Sequence, residues 1–344
     1  MPDLSAAPRP PSRRLRRIAT VVALVVVAVG CAGGDDGADV ARDTVPPATG
    51  ATSTTATTVP AETTTTTTPR TPASGALRTP SGQLVPVRAQ LVDGSAWVVG
   101  TPCGAEAEVA AGTRVESTRV VLDPGHGGRE SGTISPQGLW ESELNLDVAV
   151  RVEQLLLARG VSVELTRRTD QQVTVPIRAE LARALGPEVL VSIHHNGGDV
   201  GPSTVPGTLV FHQADSPASR RLAGLLHERV TAAFADLPVA WVSGMVPGAM
   251  AVRNDEGGDY YGVLRRAPEV PAVIVEALYL NGAGEAAALE LDVVRQAEAV
   301  AIAEGIVAYL TTTAAGSGFR PPLTFADGAV PSREPAECTD PPLG

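Results

Sequence analysis

Val120-Val121-Leu122-Asp123-Pro124-Gly125-His126-Gly127-Gly128 is the stretch that decides the fold. An unbroken apolar triplet reads as a short strand covered on both faces, which has no polar side to alternate with. Pro124 and the glycines end that strand in a turn, and they leave His126 standing at its carboxyl end. The same grammar repeats downstream. A helix starts near Glu141, carries Leu144, Val148, Val152 and Leu155 on one face, and stops at Gly160. Further strands are expected over residues 161–165, 189–193, 207–211 and 270–277, and helices over 175–185, 218–234 and 291–310. This alternation predicts an α/β fold for residues 118–312: a single domain with a mostly parallel central sheet flanked by helices.

In open α/β sheets, ligands bind beyond the carboxyl ends of the strands. His126, His194 in Ser192-Ile193-His194-His195-Asn196, and Glu276 after Val273-Ile274-Val275 all follow predicted strands. Glu141 opens a helix on the same side. Two imidazoles and a carboxylate can hold one zinc ion and leave a fourth position for water, and a further carboxylate can move protons. Each residue also has a plainer reading. His126 would be a loop histidine. Glu141 would answer a helix dipole, with Glu143 as a rival ligand two residues on. Glu276 would be half of a buried ion pair with Arg265. His194 and His195 point to opposite faces of an extended segment, so they do not share an ion. His212 reads as a strand residue and His227 as a helix-face residue.

Taken in order, Asp-Pro-Gly-His-Gly-Gly at 123–128, Glu141 with Ser-Glu-Leu-Asn-Leu, Thr166-Arg167, Ser192-Ile193-His194, Val263-Leu264-Arg265 and Val273-Ile274-Val275-Glu276 resemble the zinc-dependent N-acetylmuramoyl-L-alanine amidases. The resemblance runs from about Arg119 to Leu310. It implies Zn2+ on His126, Glu141 and His194, with Glu276 as general base and acid. Arg265 or the amide of Asn196 would be donors to the oxyanion. The substrate implied is peptidoglycan or its muropeptides, cut between N-acetylmuramic acid and L-alanine. His195 stands where the family commonly has a small residue. Some relatives carry a helical plug after the second histidine. Here residues 197–206 are too few and too rich in Gly and Pro to form one, so an open site is expected, with the loop at 241–261 as the candidate for control. The alternatives are another zinc wall peptidase, or a non-catalytic wall-binding lipoprotein.

The rest of the chain gives the setting. Arg13, Arg14, Arg16 and Arg17 precede an apolar run from Ile18 to Val29, the pattern of an export signal. Cys31 follows at once, as in a bacterial lipoprotein signal (1–31), which implies a membrane anchor in the cell envelope. Residues 32–80, rich in Thr, Ala and Pro, are expected to be a disordered stalk with a fully extended reach of roughly 140 Å. A small β element is expected over 81–117 and an irregular tail over 313–344. Cys103 and Cys338 remain as an even pair in an exported chain, which predicts a Cys103–Cys338 disulfide. All 27 basic side chains other than histidine are arginine, and the net charge of −11 argues against a nucleic-acid partner.

Overall fold

Unbroken apolar runs end in the middle of the main sheet, because only there are both faces of a strand covered. The computed structural model describes residues 69–325 and 337–344. The export segment, Cys31 and most of the expected stalk lie outside the described residues.

Six strands come first: β1 (Arg70–Pro72), β2 (Ala76–Arg78), β3 (Leu84–Leu91), β4 (Trp97–Gly100), β5 (Glu106–Val109) and β6 (Thr113–Val115). They form an antiparallel sheet in the order β5-β4-β3-β2-β6, with β1 also paired to β3. This corrects the stalk boundary at residue 80, since β1 and β2 lie inside it. Their order comes from partners far along the chain: β2 is sandwiched between β3 and β6, with Leu77 fully buried. The sheet has a small aliphatic cluster of its own, Leu77, Val85, Val87, Val99 and Val109.

The main domain continues with β7 (Val120–Pro124), α1 (Glu141–Leu157), β8 (Val163–Leu165), α2 (Val175–Leu185), β9 (Val189–Asn196), β10 (Gly201–Pro202) and β11 (Leu209–His212). After α3 (Pro217–Phe234) come β12 (Val242–Ser243), β13 (Gly248–Met250), β14 (Val252–Arg253), α4 (Gly262–Arg265) and β15 (Ala272–Tyr279). Then follow α5 (Ala283–Leu289), α6 (Asp292–Thr311) and β16 (Leu323–Thr324). The sheet order is β13-β11-β15-β9-β7-β8, and the β11–β15 pairing alone is antiparallel. The mostly parallel sheet is as expected. The strand β13 and the helix α5 were not anticipated, and β9 and β15 run past their expected ends.

Alternate residues of β9 and β15 serve opposite layers. Val191, Ile193, Val273 and Val275 join the core beneath α1, α3 and α6, whereas Leu190 and Ile274 join the cluster on the α2 and α4 side. Each fully buried aliphatic side chain contributes about 1.5–3 kcal/mol. A one-residue slip of β9 would exchange every one of these positions, so the apolar pattern fixes the register. On α1, Leu156 rather than Leu155 completes the buried stripe with Leu144, Val148 and Val152.

The first sheet is fastened to α2. Arg88 donates from Nε and Nη2 to Glu180 at 2.8 Å each, and Thr174 N–H donates to Pro102 O at 2.9 Å. Ala76 and Leu84 pack in the same cluster as Ile177 and Leu181. Among its described residues the tail is irregular apart from β16, which runs parallel to β14. Cys103 and Cys338 form the expected disulfide across 235 residues. Among the described residues, no helix is long and apolar enough to cross a membrane.

Candidate metal centre and active site

The turn after β7 places His126 in the left-handed region, at φ +59°, and no other non-glycine among the described residues adopts it. Such a backbone costs about 1–2 kcal/mol and persists only when its surroundings hold it. Two buried guanidiniums do so. Arg178 on α2 donates to the carbonyls of Val173 (2.7 Å), Pro124 (2.7 Å) and His126 (2.6 Å). Arg167, after β8, donates to Pro124 O at 3.0 Å, Gly125 O at 2.9 Å and Ser142 O at 2.7 Å. Burial, and then the charge of Arg178, push the Arg167 pKa down to about 10. Asp123 at the end of β7 answers Arg178 with an ion pair of 2.6 Å and accepts from Thr166 and Ser192. Burial would raise its pKa, but Arg178 and the two hydroxyls outweigh burial and hold the carboxyl below its ordinary value.

Above this base lie the predicted ligands. Glu141, the first residue of α1, is 3% exposed. Its Oε1 lies 3.2 Å from His126 Nε2 and 3.0 Å from His194 Nδ1, and its Oε2 accepts from the Thr133 N–H at 2.8 Å. Burial opposes its ionisation, yet the two imidazoles carry its pKa well below the ordinary value. His194 shifts downward too, chiefly through burial. One ligand atom from each of His126, Glu141 and His194 falls within 4.8 Å of the others, which is the reach of one ion. The space is kept clear by missing side chains. A Cβ on Gly125 would meet His194 Cε1 at 2.1 Å, and one on Gly132 would meet Glu141 Oε2 at 2.5 Å. This donor set, two nitrogens and one carboxylate oxygen with both imidazoles lining a cavity, fits a tetrahedral zinc site with one position open.

Glu276 faces His194 across paired positions of β15 and β9, so both project from the same face of the sheet. They line one cavity of about 310 Å³ with His126, Arg178, Tyr261 and Val263. The Glu276 Oε2 atom is buried and has no hydrogen-bond partner. Burial, and then the charge of Glu141, raise its pKa well above the ordinary value. The ion pair with Arg265 does not form. Arg265 ends α4 and is exposed, and its Nη1 donates to the carbonyls of Asp259 (2.6 Å) and Tyr260 (2.7 Å). A catalytic part for Arg265 is therefore corrected, because its guanidinium ties down the loop before α4 instead of entering the cavity. Asn196 likewise spends its amide on Glu276 O at 3.2 Å. Glu143 is exposed on α1, as expected for a surface residue.

Residues 197–206 contain no helix, and of the stretch from Trp241 to Tyr261 only Tyr261 borders the cavity. His195 points away from the cavity and is completely buried between Asn145 and Glu298. Burial favours its neutral ring, but the Glu298 carboxylate outweighs burial and raises its pKa. Sequence reasoning missed Arg178, Asn145 and Glu298. Arg178 could have been found as an arginine one turn into an otherwise buried helix face.

The pattern of the N-acetylmuramoyl-L-alanine amidase family Amidase_3 matches residues 120–308. The chain is 30% identical over 235 residues to N-acetylmuramoyl-L-alanine amidase AmiA of Escherichia coli (strain K12), covering 59% of this chain and 78% of AmiA. It is 29% identical over 192 residues to N-acetylmuramoyl-L-alanine amidase LytC of Bacillus subtilis (strain 168), covering 55% of this chain and 35% of LytC. The solved structure of Cwp6 from Clostridium difficile shares the fold, with a TM-score of 0.50 and 24% identity over 57% of this chain and 30% of Cwp6.

Proposed function

This chain belongs to the N-acetylmuramoyl-L-alanine amidase family, and we propose that it cleaves the amide between N-acetylmuramic acid and the L-alanine of the peptidoglycan stem peptide as a zinc enzyme with Glu276 as its proton carrier. One observation carries the reading: the Glu276 Oε2 atom, buried and without a hydrogen-bond partner, belongs to a carboxylate that lines one cavity with His126 and His194, whose imidazoles both reach Glu141.

His126, Glu141 and His194 would hold the metal. Bound there, zinc supplies Lewis-acid polarisation of the scissile carbonyl and a lowered pKa for water. The chain's own residues do the rest. Asp123, Arg178 and Arg167 hold the His126 turn, so that ligand needs little reorganisation on binding. Glu276 accepts the proton of the attacking water as the new C–O bond forms. It then delivers that proton to the alanine nitrogen as the C–N bond breaks, which lets the amine leave neutral. A carboxyl held above its ordinary range suits both halves of that transfer. Val173, Val175, Tyr261 and Val263 supply an apolar part of the cavity lining, beside the charged and polar groups of Asp123, Arg178 and Ser192.

The setting proposed is the cell envelope, with export directed by residues 1–31 and a lipid anchor on Cys31. The arginine cluster, the apolar run and the cysteine that follows it support this.

The test is hydrolysis of purified muropeptides by the full-length chain beside its Glu276→Ala variant, with bound zinc measured in both. Free stem peptide from wild type alone, with zinc retained in the variant, is the expected result. Peptide fragments cut between amino acids would point to a wall peptidase instead. Zinc without any cleavage would point to a non-catalytic wall-binding role, and no zinc at all would end the metal reading.

A further inference from the structure

His195 takes no part in the chemistry above, yet it occupies the interior beside a metal-ligating residue. Its side chain is 0% exposed, as is that of Glu298 on α6. His195 Nδ1 lies 2.8 Å from Asn145 Oδ1, and Nε2 lies 3.2 Å from Glu298 Oε2. Asn145 sits one helical turn beyond Glu141 on α1. Its Nδ2 donates to Gly125 O at 3.3 Å and to Glu141 Oε1 at 3.4 Å. The backbone N–H of His195 reaches the same Oε1 at 3.3 Å. A continuous polar line thus runs from α6 through β9 and α1 to the carboxylate that both site imidazoles touch.

The two ends of an amide are not equivalent. Turned the other way, Asn145 would set its carbonyl oxygen against a carboxylate and a backbone carbonyl, acceptor against acceptor. What fixes the amide is a donor facing Oδ1, and Nδ1–H of His195 is that donor. With that hydrogen on Nδ1, Nε2 meets Glu298 in one of two ways, whereas a neutral ring protonated on Nε2 alone would leave Nδ1 bare. If the ring is doubly protonated, both nitrogens donate. If the carboxyl holds the proton, it donates to Nε2 and leaves the hydrogen on Nδ1. Three polar side chains in an aliphatic core are costly where apolar groups of similar volume would serve the fold as well. Stability alone gives no reason for them.

We propose that His195 is a positioning residue: through Asn145, and anchored by Glu298, it fixes the Glu141 carboxylate and the Gly125 carbonyl in the arrangement that receives the metal. The inference rests on the metal-centre reading above.

The test compares full-length wild type with His195→Phe/Glu298→Leu, which keeps the core filled and removes the line. Zinc affinity is measured by competition with a chromogenic chelator, geometry by the visible spectrum of the cobalt(II)-loaded protein, and folding by thermal melting. The expected result is a folded double variant with zinc affinity about tenfold to a hundredfold weaker, the range of orienting groups around metal ligands, and an altered cobalt spectrum. His195→Asn/Glu298→Leu restores an N–H where Nδ1 stood, and it should recover most of the affinity. Wild-type affinity and spectrum in the Phe/Leu variant would overturn the proposal while leaving the metal centre intact. A wild type that takes up no metal would overturn both. Should the variants not fold, long-range 1H–15N correlation on wild type reads the ring directly. A proton on Nδ1 of His195 is expected, and a bare Nδ1 would overturn the proposal.

Discussion

Gly125→Ala adds a single methyl group at the point where the turn after β7 passes the His194 ring. Gly125 does not have a left-handed backbone, so alanine brings no conformational strain, and the whole effect runs through contact. The added Cβ would stand 2.1 Å from His194 Cε1, 2.2 Å from Nε2 and 2.5 Å from Nδ1, whereas ordinary contact begins at 3.4 Å. The ring or the turn must therefore yield by about 1.3 Å, against a tolerance in metal–ligand distance of about 0.2 Å. Neither is free to move: the ring is bonded to Glu141, and the Gly125 carbonyl is held by Arg167 and Asn145. Overpacking of this kind costs about 1–3 kcal/mol of stability. Displacing one of three ligands should weaken zinc by at least about a hundredfold, equivalent to about 2.7 kcal/mol. The assay is chelator competition for zinc, with muropeptide hydrolysis alongside and circular dichroism to show that the fold persists. Gly201→Ala is the control, because a Cβ there meets nothing within 4 Å. A folded Gly125→Ala protein with wild-type zinc affinity would refute the claim that this glycine exists to admit the His194 ring.

Three further outcomes are expected. Burial and the Glu141 charge raise the Glu276 pKa, and only its ionised form accepts a proton, so kcat/KM should fall with decreasing pH along a limb above the ordinary carboxylate value of 4.5; an acid limb at 4.5 in the pH–rate profile would contradict the assignment. Asp123→Asn leaves the Arg178 guanidinium buried without its counter-charge and should cost about 3–5 kcal/mol in urea unfolding. Because the folded pKa of Asp123 is depressed, its contribution is complete above the unfolded value and disappears as pH falls through the folded one, so wild type should lose its advantage over the variant in acid. Cys338→Ser opens a loop of 235 residues and should lower stability by up to about 5 kcal/mol on chain entropy; an unchanged melting temperature would show that the tail is held by its other contacts, such as Asp340 on Thr101 and on the Cys103 N–H.

The candidate site residues could be picked out because they sit where the strand pattern breaks. His126, His194 and Glu276 each interrupt an apolar run at its carboxyl end, and a polar residue there has few other uses. The part played by the guanidiniums beneath them was harder to read: Arg167 appeared only as a motif position. The apolar face of α2 hints that Arg178 is buried, but nothing local names its partner, a carboxylate 55 residues earlier. Arg265 stood out through the Val263-Leu264-Arg265 motif, but a place in a motif says nothing about where a long side chain finds its acceptors, here the carbonyls of Asp259 and Tyr260. The strands β1, β2 and β13 escaped notice because Arg-Thr-Pro, Ala-Leu-Arg and Gly-Ala-Met lack β-branched density. They are strands by virtue of their distant partners, and pattern reading weighs neighbours.

The grip of β3 and the Pro102 turn on α2 bears on how such a protein can be inherited in pieces. α2 carries Arg178, and Arg178 carries the turn that presents His126. A gene segment that begins at β7 would encode every residue of the candidate site, yet would leave behind Arg88, Leu84 and the Pro102 carbonyl that keep α2 in place. Recombination at that border should yield offspring with all the reactive groups and a loosened turn under one of them. Within this chain, the footing of the turn that presents His126 therefore reaches back through α2 into the small antiparallel sheet.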